Sequence, residues 1–280
     1  MRLSTIPGDI LDDDITTPRG LAVKVMGVEG KRLAGSEGDA TQDFVLVNGP
    51  HFQAGSAKQF LSSLKLLAAT TDKVEGVKKV VSAMNRTLET GLEAVGVKSA
   101  NLTAMGGQPM TNPLGDTFYS QAALRYGAYV AKVSVAPASP ELIALVAKKV
   151  DLKDRPDGLR EEVAEHIARH GGEWDVRVQL RTRRDEMPIE DPSKEWPQDH
   201  SPYLPVGRIK VQPQPGWSVA RSQAVDDGLS FSPWHGIEAH QPLGVIMRLR
   251  KDAYAAAARF RGEHNGCPMH EPRSWRGLPD

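Results

Sequence analysis

Apolar positions along this chain follow two different periods, which together predict a mixture of strands and helices. Short runs that are rich in Val and Leu, or that alternate between apolar and polar residues, predict strands at residues 20–27, 42–48, 128–136, 173–182 and 206–212. Apolar residues at near-helical spacing predict helices at residues 56–70, 75–95, 139–150, 158–170 and 244–262. Polar stretches that contain Gly or Pro predict loops at residues 30–39, 98–116 and 185–202.

The order of these elements predicts an α+β fold. The strands are mostly adjacent in sequence and are separated by long helical insertions, an order that suits an antiparallel β-barrel decorated with helices. The pattern also allows a generic α+β domain. A chain of 280 residues is long enough for one large domain with a substantial core.

Composition and charge narrow the classes of partner. The chain carries 35 Lys and Arg residues against 35 Asp and Glu residues, and this zero formal net charge argues against a nucleic-acid surface. The single Cys267 excludes a disulfide within the chain. No apolar run approaches the roughly 20 residues of a membrane span, and the N-terminus lacks a signal-peptide pattern. We therefore expect a cytoplasmic protein with no nucleic-acid or membrane partner.

The segment from Met247 to Arg259 holds the most distinctive chemistry. It is rich in strong helix formers, and Arg250 precedes Tyr254 by four positions. On a helix, that spacing puts the two side chains on one face. The guanidinium would favour the phenolate form of Tyr254, which is a hard anionic ligand suited to ferric iron. The alternative is an exposed Ala-rich helix whose single tyrosine packs on a neighbouring element.

Several further motifs occur in a fixed order along the chain. They are Arg2-Leu3-Ser4-Thr5, Pro18-Arg19-Gly20-Leu21-Ala22-Val23-Lys24, Thr41 to Asn48, Gly115-Asp116-Thr117-Phe118, Tyr203-Leu204-Pro205-Val206-Gly207-Arg208-Ile209 and Arg250-x-x-x-Tyr254. Their order and spacing resemble the catalase superfamily. The stretches 187–197 and 229–236 look like the compact bacterial catalase-related proteins rather than full-size catalases.

This resemblance implies a fold, a cofactor and a substrate class. The implied fold is a catalase-like antiparallel β-barrel with helical insertions and a C-terminal helix that carries the proximal tyrosine. It would form one domain over residues 1–280, with barrel strands and insertions at 1–215, a proximal arm and helix at 216–265 and a tail at 266–280. The implied cofactor is haem b, the implied substrate is hydrogen peroxide or an organic peroxide, and a homo-oligomer is possible.

On the proximal side of the haem, the resemblance assigns three residues. Tyr254 would be the axial ligand of the haem iron, and Arg250 would keep the tyrosine oxygen ionised. Arg259 matches the family's arginine that follows the tyrosine. A step of five residues on a helix, however, turns Arg259 well away from the face that carries Tyr254.

Three more residues match positions elsewhere in the haem pocket. Arg2 matches an arginine that pairs with a haem propionate, although a disordered N-terminal side chain is the alternative. Ser4 matches a serine on the distal side of the haem. Phe118 matches a phenyl ring packed on the porphyrin, and a plain core phenylalanine explains it equally well.

The family's distal histidine has no match in this sequence. In catalases it stands in a His-x-Lys-Gly run upstream of the Arg-Phe-Ser-Thr strand, whereas here Met1 directly precedes Arg2. A misplaced start or partial gene would explain this, and so would a natural short form. We therefore expect a barrel that is incomplete at the N-terminus, no assignable catalytic residue and an impaired activity. No Asn stands near Thr41 or Gln42, so the family's distal asparagine is not assigned either.

Three functional hypotheses follow. The first is a catalase-related haem enzyme, the second is a haem-binding protein without catalytic turnover, and the third is a non-haem protein with a catalase fold that serves binding or assembly. A metal site formed by His235 and His240 is not favoured. Their spacing misses the four-residue step of a helix face, and the Pro and Gly residues around them indicate a loop.

Overall fold

A computed structural model describes residues 1–5, 12–13, 17–70, 110–266, 269–274 and 279. At its centre lies one antiparallel sheet of eight strands. The strands are β1 (Arg2–Thr5), β2 (Arg19–Met26), β3 (Thr41–Val47), β4 (Phe118–Tyr119), β5 (Leu124–Tyr126), β6 (Tyr129–Pro137), β7 (Gly172–Leu180) and β8 (Leu204–Val211). Their order is β1-β2-β3-β4-β6-β7-β8, with β5 paired to β6, so β1 and β8 are the edges of the described sheet.

Helical segments connect and cover the strands. The α-helices are α1 (Ala57–Thr70), α2 (Pro140–Ile143), α3 (Gly158–His170), α4 (Val219–Ser222) and α5 (Val245–Asn265). Short 3-10 turns lie at Pro113–Gly115 and Glu238–His240, and a π-helical turn at Gln223–Asp227 follows α4 directly. Within the described ranges, no helix combines the length and the apolar character that crossing a membrane requires.

The period of apolar residues predicted most of these elements correctly. Each of the five predicted strands is present with ends within two residues of the prediction, and the helices predicted at 56–70, 158–170 and 244–262 are confirmed. The structure adds β4 and β5, which are too short to show a period. The helix predicted at 75–95 lies outside the described residues.

The helix predicted over 139–150 is wrong beyond Ile143, where α2 ends. The chain then turns back and pairs its backbone with another segment: the N–H of Val150 donates to the carbonyl of Met110 at 2.8 Å. The approach is close, because a Cβ on Gly115 would lie only 2.2 Å from the Leu145 carbonyl oxygen. Backbone hydrogen bonds to this second segment replace those that a longer helix would have made.

The two faces of the sheet differ in chemistry. One face is apolar and forms the main core, onto which Leu142 of α2 and Ile167 of α3 also pack. Its strand residues include Leu21, Val23, Leu46, Phe118, Val135 and Trp174. The opposite face carries polar side chains that are nevertheless buried, among them Asp43, Lys132, Ser134 and Gln179.

Two irregular segments bury this polar face. The first cover, residues 185–203, lies over β6 and β7, where the amide of Gln179 donates to the Trp196 carbonyl at 3.0 Å. The second cover, residues 226–243, lies over β2 and β3, where the Ser232 N–H donates to an Asp43 carboxylate oxygen at 3.0 Å. Helix α5 packs on the second cover, since the indole N–H of Trp234 donates to the Met247 carbonyl.

Candidate functional site

Helix α5 holds Arg250 and Tyr254 in direct contact. The Nη2 of Arg250 donates a hydrogen bond of 2.7 Å to the phenol oxygen of Tyr254, and the guanidinium carbon lies 5.0 Å from the ring centroid. Both side chains are half-buried. The contact follows from the helix, because residues four apart lie one above the other. A permanent positive charge therefore stands within hydrogen-bonding distance of the tyrosine oxygen.

A third residue on this side of α5, Arg261, was missed by the sequence reasoning. It follows Tyr254 by seven positions, almost two full turns, and it is half-buried, whereas Arg259 is exposed. The Nη1 of Arg261 donates to the carbonyl of Asp226 at 2.8 Å. The spacing of seven residues was the signal that could have identified it.

Arg2 of β1 reaches the same place from the sheet. Its Nε donates to the Asp226 carboxylate at 2.5 Å, and the two side chains are 36% and 40% exposed. The guanidinium groups of Arg2 and Arg261 thus converge on one residue of the π-helical turn. The structure brings Arg2 and the helix that carries Tyr254 together around Asp226, although 224 positions separate Arg2 from Asp226 in sequence.

Ser4 and Phe118 lie on opposite faces of the sheet. Ser4 shares its face with Arg2 and pairs with Gly20, where a Cβ would lie 2.8 Å from the serine oxygen. Gly20 is therefore the residue that leaves room for Ser4. Phe118 is 1% exposed and packs in the apolar core. Its contact with a porphyrin stays a prediction.

Four titratable residues form the Lys24 cluster beneath the second cover: Lys24, Asp43, His235 and Glu271. The Lys24 ammonium lies 2.7 Å from an Asp43 oxygen and 2.5 Å from a Glu271 oxygen. The Nδ1 of His235 lies 3.1 Å from Glu271, and its Nε2 lies 3.2 Å from Asp39. The cluster joins two adjacent strands to the second cover and to the C-terminal segment 269–274.

The two carboxyl groups of the cluster respond differently to their surroundings. Burial raises the pKa of Asp43, which is not exposed at all, in spite of the adjacent Lys24 ammonium. Burial acts on Glu271 in the same sense, but hydrogen bonds from His235 and Lys24 outweigh it and lower the pKa of Glu271.

The Lys24 cluster is the group of the described residues that most resembles a metal site. Ligand atoms of Asp43, His235 and Glu271 lie within 4.8 Å of one another. The Lys24 ammonium, however, already contacts both carboxylates and supplies the cation that they need. His240, considered with His235 from the sequence, instead stacks on Tyr126 with ring centroids 6.1 Å apart, and burial lowers the pKa of its imidazole.

The fold built around these residues is similar to that of known catalases. The chain is similar to catalase A from Saccharomyces cerevisiae, with a TM-score of 0.63, 19% identity, and coverage of 92% of this chain and 52% of that one. A fungal catalase gives a TM-score of 0.63 and 20% identity, covering 94% of this chain and 51% of the catalase. A bacterial catalase gives 0.60 and 17%, covering 97% and 53%. The chain has the fold of the catalases.

These likenesses confirm the expected antiparallel catalase-like architecture. The barrel is incomplete, because the described sheet ends at β1 and β8 without closing. The chain spans about half the length of the catalases that it matches. No protein-family model and no curated protein matches the sequence.

Proposed function

We propose that this chain binds haem b through Tyr254 and acts on hydrogen peroxide or an organic peroxide. The observation that carries the proposal is the 2.7 Å hydrogen bond from Arg250 to the Tyr254 oxygen, on a helix packed over a sheet with the catalase fold. Tyrosine serves as an axial haem ligand in catalase. The charge of Arg250 would stabilise the negative oxygen that such a ligand presents to ferric iron.

The residues present fit the proximal side of a haem. Tyr254 offers one oxygen donor of the hard type that ferric iron prefers, and Arg250 is its hydrogen-bonding partner among the described residues. Arg2 and Arg261 offer cationic groups suited to carboxylates, the chemistry of the haem propionates. Asp226 now uses both, but its pair with Arg2 is well exposed and therefore weak enough to exchange.

Bound haem would supply the electron exchange with peroxide. The chain's own contribution would be to hold Tyr254 ionised through Arg250 and to anchor the propionate edge through Arg2 and Arg261. Ser4, on the same face of the sheet as Arg2, would contribute a hydroxyl toward the other side of the pocket. Proton transfer between the two peroxide oxygens normally needs a positioned base. None of the eight histidines matches the family's distal histidine, so we propose a slow turnover for this sequence.

The proposal is tested by reconstituting the protein with haemin and recording its absorption spectrum. A Soret band with one haem per chain is the expected result. In Tyr254→Phe the protein should fold, but haem affinity should fall by roughly tenfold or more, because losing a charged axial ligand removes more than the ~1.4 kcal/mol behind a factor of ten. The matched control is Tyr129→Phe, since Tyr129 is 66% exposed on β6. Unchanged haem stoichiometry and spectrum in Tyr254→Phe would exclude it as the ligand.

The role of Arg250 is tested separately by Arg250→Leu. Haem should still bind, but acid should release it at a higher pH than in the parent, because the cation that favours the ionised oxygen is gone. Arg248→Leu is the control, since Arg248 is exposed and pairs with Glu190 instead. Equal release curves for the parent and Arg250→Leu would contradict the assigned role. Oxygen evolution from peroxide then separates a haem enzyme from a haem-binding protein without turnover.

A further inference from the structure

A second buried lysine, Lys132, lies on the polar face of the sheet beneath the first cover. Lys132 and Ser134 on β6 are 1% and 0% exposed. Ser134 is paired directly with Arg177 of β7, and Lys132 with Gln179. Side chains of directly paired residues are neighbours on one face of a sheet, and residues two apart along a strand share that face. Lys132, Ser134 and Arg177 are therefore three adjacent hydrogen-bond donors.

These donors lack the partners that buried polar groups normally have. The hydroxyl of Ser134 and the Nε of Arg177 are both inaccessible to solvent and have no hydrogen-bond partner among the residues that the structure describes. The Lys132 ammonium makes one hydrogen bond, of 3.3 Å, to the Lys194 carbonyl, and it lies 5.0 Å from the Trp196 ring. Most buried polar atoms in proteins do have a partner, so a pair of unpartnered donors indicates a missing acceptor.

The cluster also lacks a negative charge in contact. Among the described residues, no carboxylate lies within 4.0 Å of Lys132 or Arg177, although more distant Glu195 and Asp191 act on Lys132 electrostatically. Burial lowers the pKa of Lys132 to about 8, against the opposing effect of these two carboxylates. Burial also raises the pKa of Tyr203, whose ring lies 5.8 Å from the Arg177 guanidinium, so this phenol stays neutral and supplies no counter-charge.

We propose that Lys132, Ser134 and Arg177 bind a small monovalent inorganic anion of the halide class. The Lys132 ammonium and the Arg177 guanidinium offer only N–H donors, and the Ser134 hydroxyl can donate as well as accept. The two cationic side chains repel a bound cation and favour an anion. A water molecule would satisfy the donors but would leave the ammonium charge unbalanced. These residues lie on β6 and β7 beneath the first cover, and none of them is among the residues proposed to hold haem.

The closed cover limits the size of the ligand. Gln179 donates to the carbonyls of Trp196 and Ser201, at 3.0 and 2.9 Å, and the Trp196 indole N–H donates to the Pro188 carbonyl at 3.1 Å. Trp196 itself is 1% exposed. Because these bonds hold the first cover closed over the three donors, we expect a compact ion there rather than a ligand with an organic part.

The direct test is to soak crystals of the full chain in bromide and locate its anomalous signal. A peak within hydrogen-bonding distance of the Ser134 hydroxyl and the Lys132 ammonium is expected. Thermal unfolding is then measured as a function of chloride concentration, with gluconate replacing chloride so that the ionic strength stays constant. The midpoint should rise with the logarithm of chloride concentration, because a ligand bound to the folded state stabilises it. Sulfate at the same ionic strength gives the nonspecific salt effect.

Variants of Ser134 and Lys132 test whether these side chains bind the chloride. Ser134→Ala and Lys132→Met should weaken chloride binding by roughly tenfold or more, as expected for lost hydrogen bonds to a charged group. Lys194→Met is the matched control, since it removes a nearby exposed lysine whose carbonyl, not its side chain, faces the site. If Lys132→Met does not fold, Ser134→Ala carries the test. An ordered water in place of bromide, or equal chloride responses in the parent and Ser134→Ala, would overturn the proposal.

Discussion

Lys24 and Lys132 lie on the same polar face of one sheet and both have buried side chains, yet their surroundings are opposite. Lys24 contacts two carboxylates, whereas Lys132 contacts a carbonyl and an indole ring. The difference comes from the covers. The second cover and the C-terminal segment bring His235 and Glu271 over the sheet, while the first cover brings Trp196. The strands set where a charge is buried, and the irregular segments decide whether it is neutralised.

The largest effect on stability is expected when the ion pairs of Lys24 are removed. Lys24→Met should lower the free energy of unfolding by about 3–5 kcal/mol, because it leaves the fully buried Asp43 without its cation. Denaturant unfolding at pH 7 measures the loss. Replacing both partners, Lys24→Met with Asp43→Leu, should recover part of it. A loss below about 1 kcal/mol for Lys24→Met would mean that the cluster is not the buried ion network described above.

Because Lys132 has no contacting counter-charge among the described residues, it should make the free energy of unfolding depend on pH. Its pKa is about 8 in the folded protein against 10.5 when unperturbed, so between these values the unfolded state holds a proton that the folded state has released. Stability from this group therefore rises as pH increases through that window. In buffers without halide, the free energy of unfolding of the parent should therefore rise across this pH range by up to about 3 kcal/mol relative to Lys132→Met. This figure follows from about 1.36 kcal/mol for each unit of pKa difference. A flat difference between the two proteins would show that Lys132 is already neutralised.

The exposed pair of Arg2 and Asp226 should contribute less to the free energy of unfolding than either buried lysine does. Because its side chains are 36% and 40% exposed, Asp226→Asn should change the free energy of unfolding by no more than about 1 kcal/mol. Haem affinity should rise, since Arg2 is released for a propionate. Asp227→Asn is the control, because Asp227 pairs with Asn265 instead. A fall in haem affinity for Asp226→Asn alone would indicate that Asp226 positions Arg2 rather than competing for it.

Local periodicity was sufficient to predict most of the fold and one contact of the site. The alternation along β6 and β7 and the four-residue step from Arg250 to Tyr254 are properties of single elements, so the sequence shows them directly. The same helix geometry would have favoured Arg261 over Arg259. Within a single element, spacing is enough to identify a shared face.

Contacts between distant segments could not be predicted in this way. Glu271 reaches Lys24 across 247 positions, and nothing in either local pattern indicates the pairing. Lys132 and Ser134 occupy the polar positions of an alternating strand, which normally predicts exposure to solvent. Only the fold of residues 185–203 over that strand buries them. The helix predicted at 139–150 was too long for the related reason that backbone pairing with residues 110–112 replaces helical bonds.

The outer strand β8 also has a consequence for self-association. An edge strand of eight residues with Leu204 and Val206 about half exposed would ordinarily invite another chain to add a strand and begin aggregation. Pro205 removes one backbone donor from this edge, and the register shift opposite Val176 and Arg177 interrupts its regular spacing. Growth of the described sheet is thus discouraged at β8. The same irregularities that interrupt pairing along β8 therefore protect this edge against strand addition from another chain.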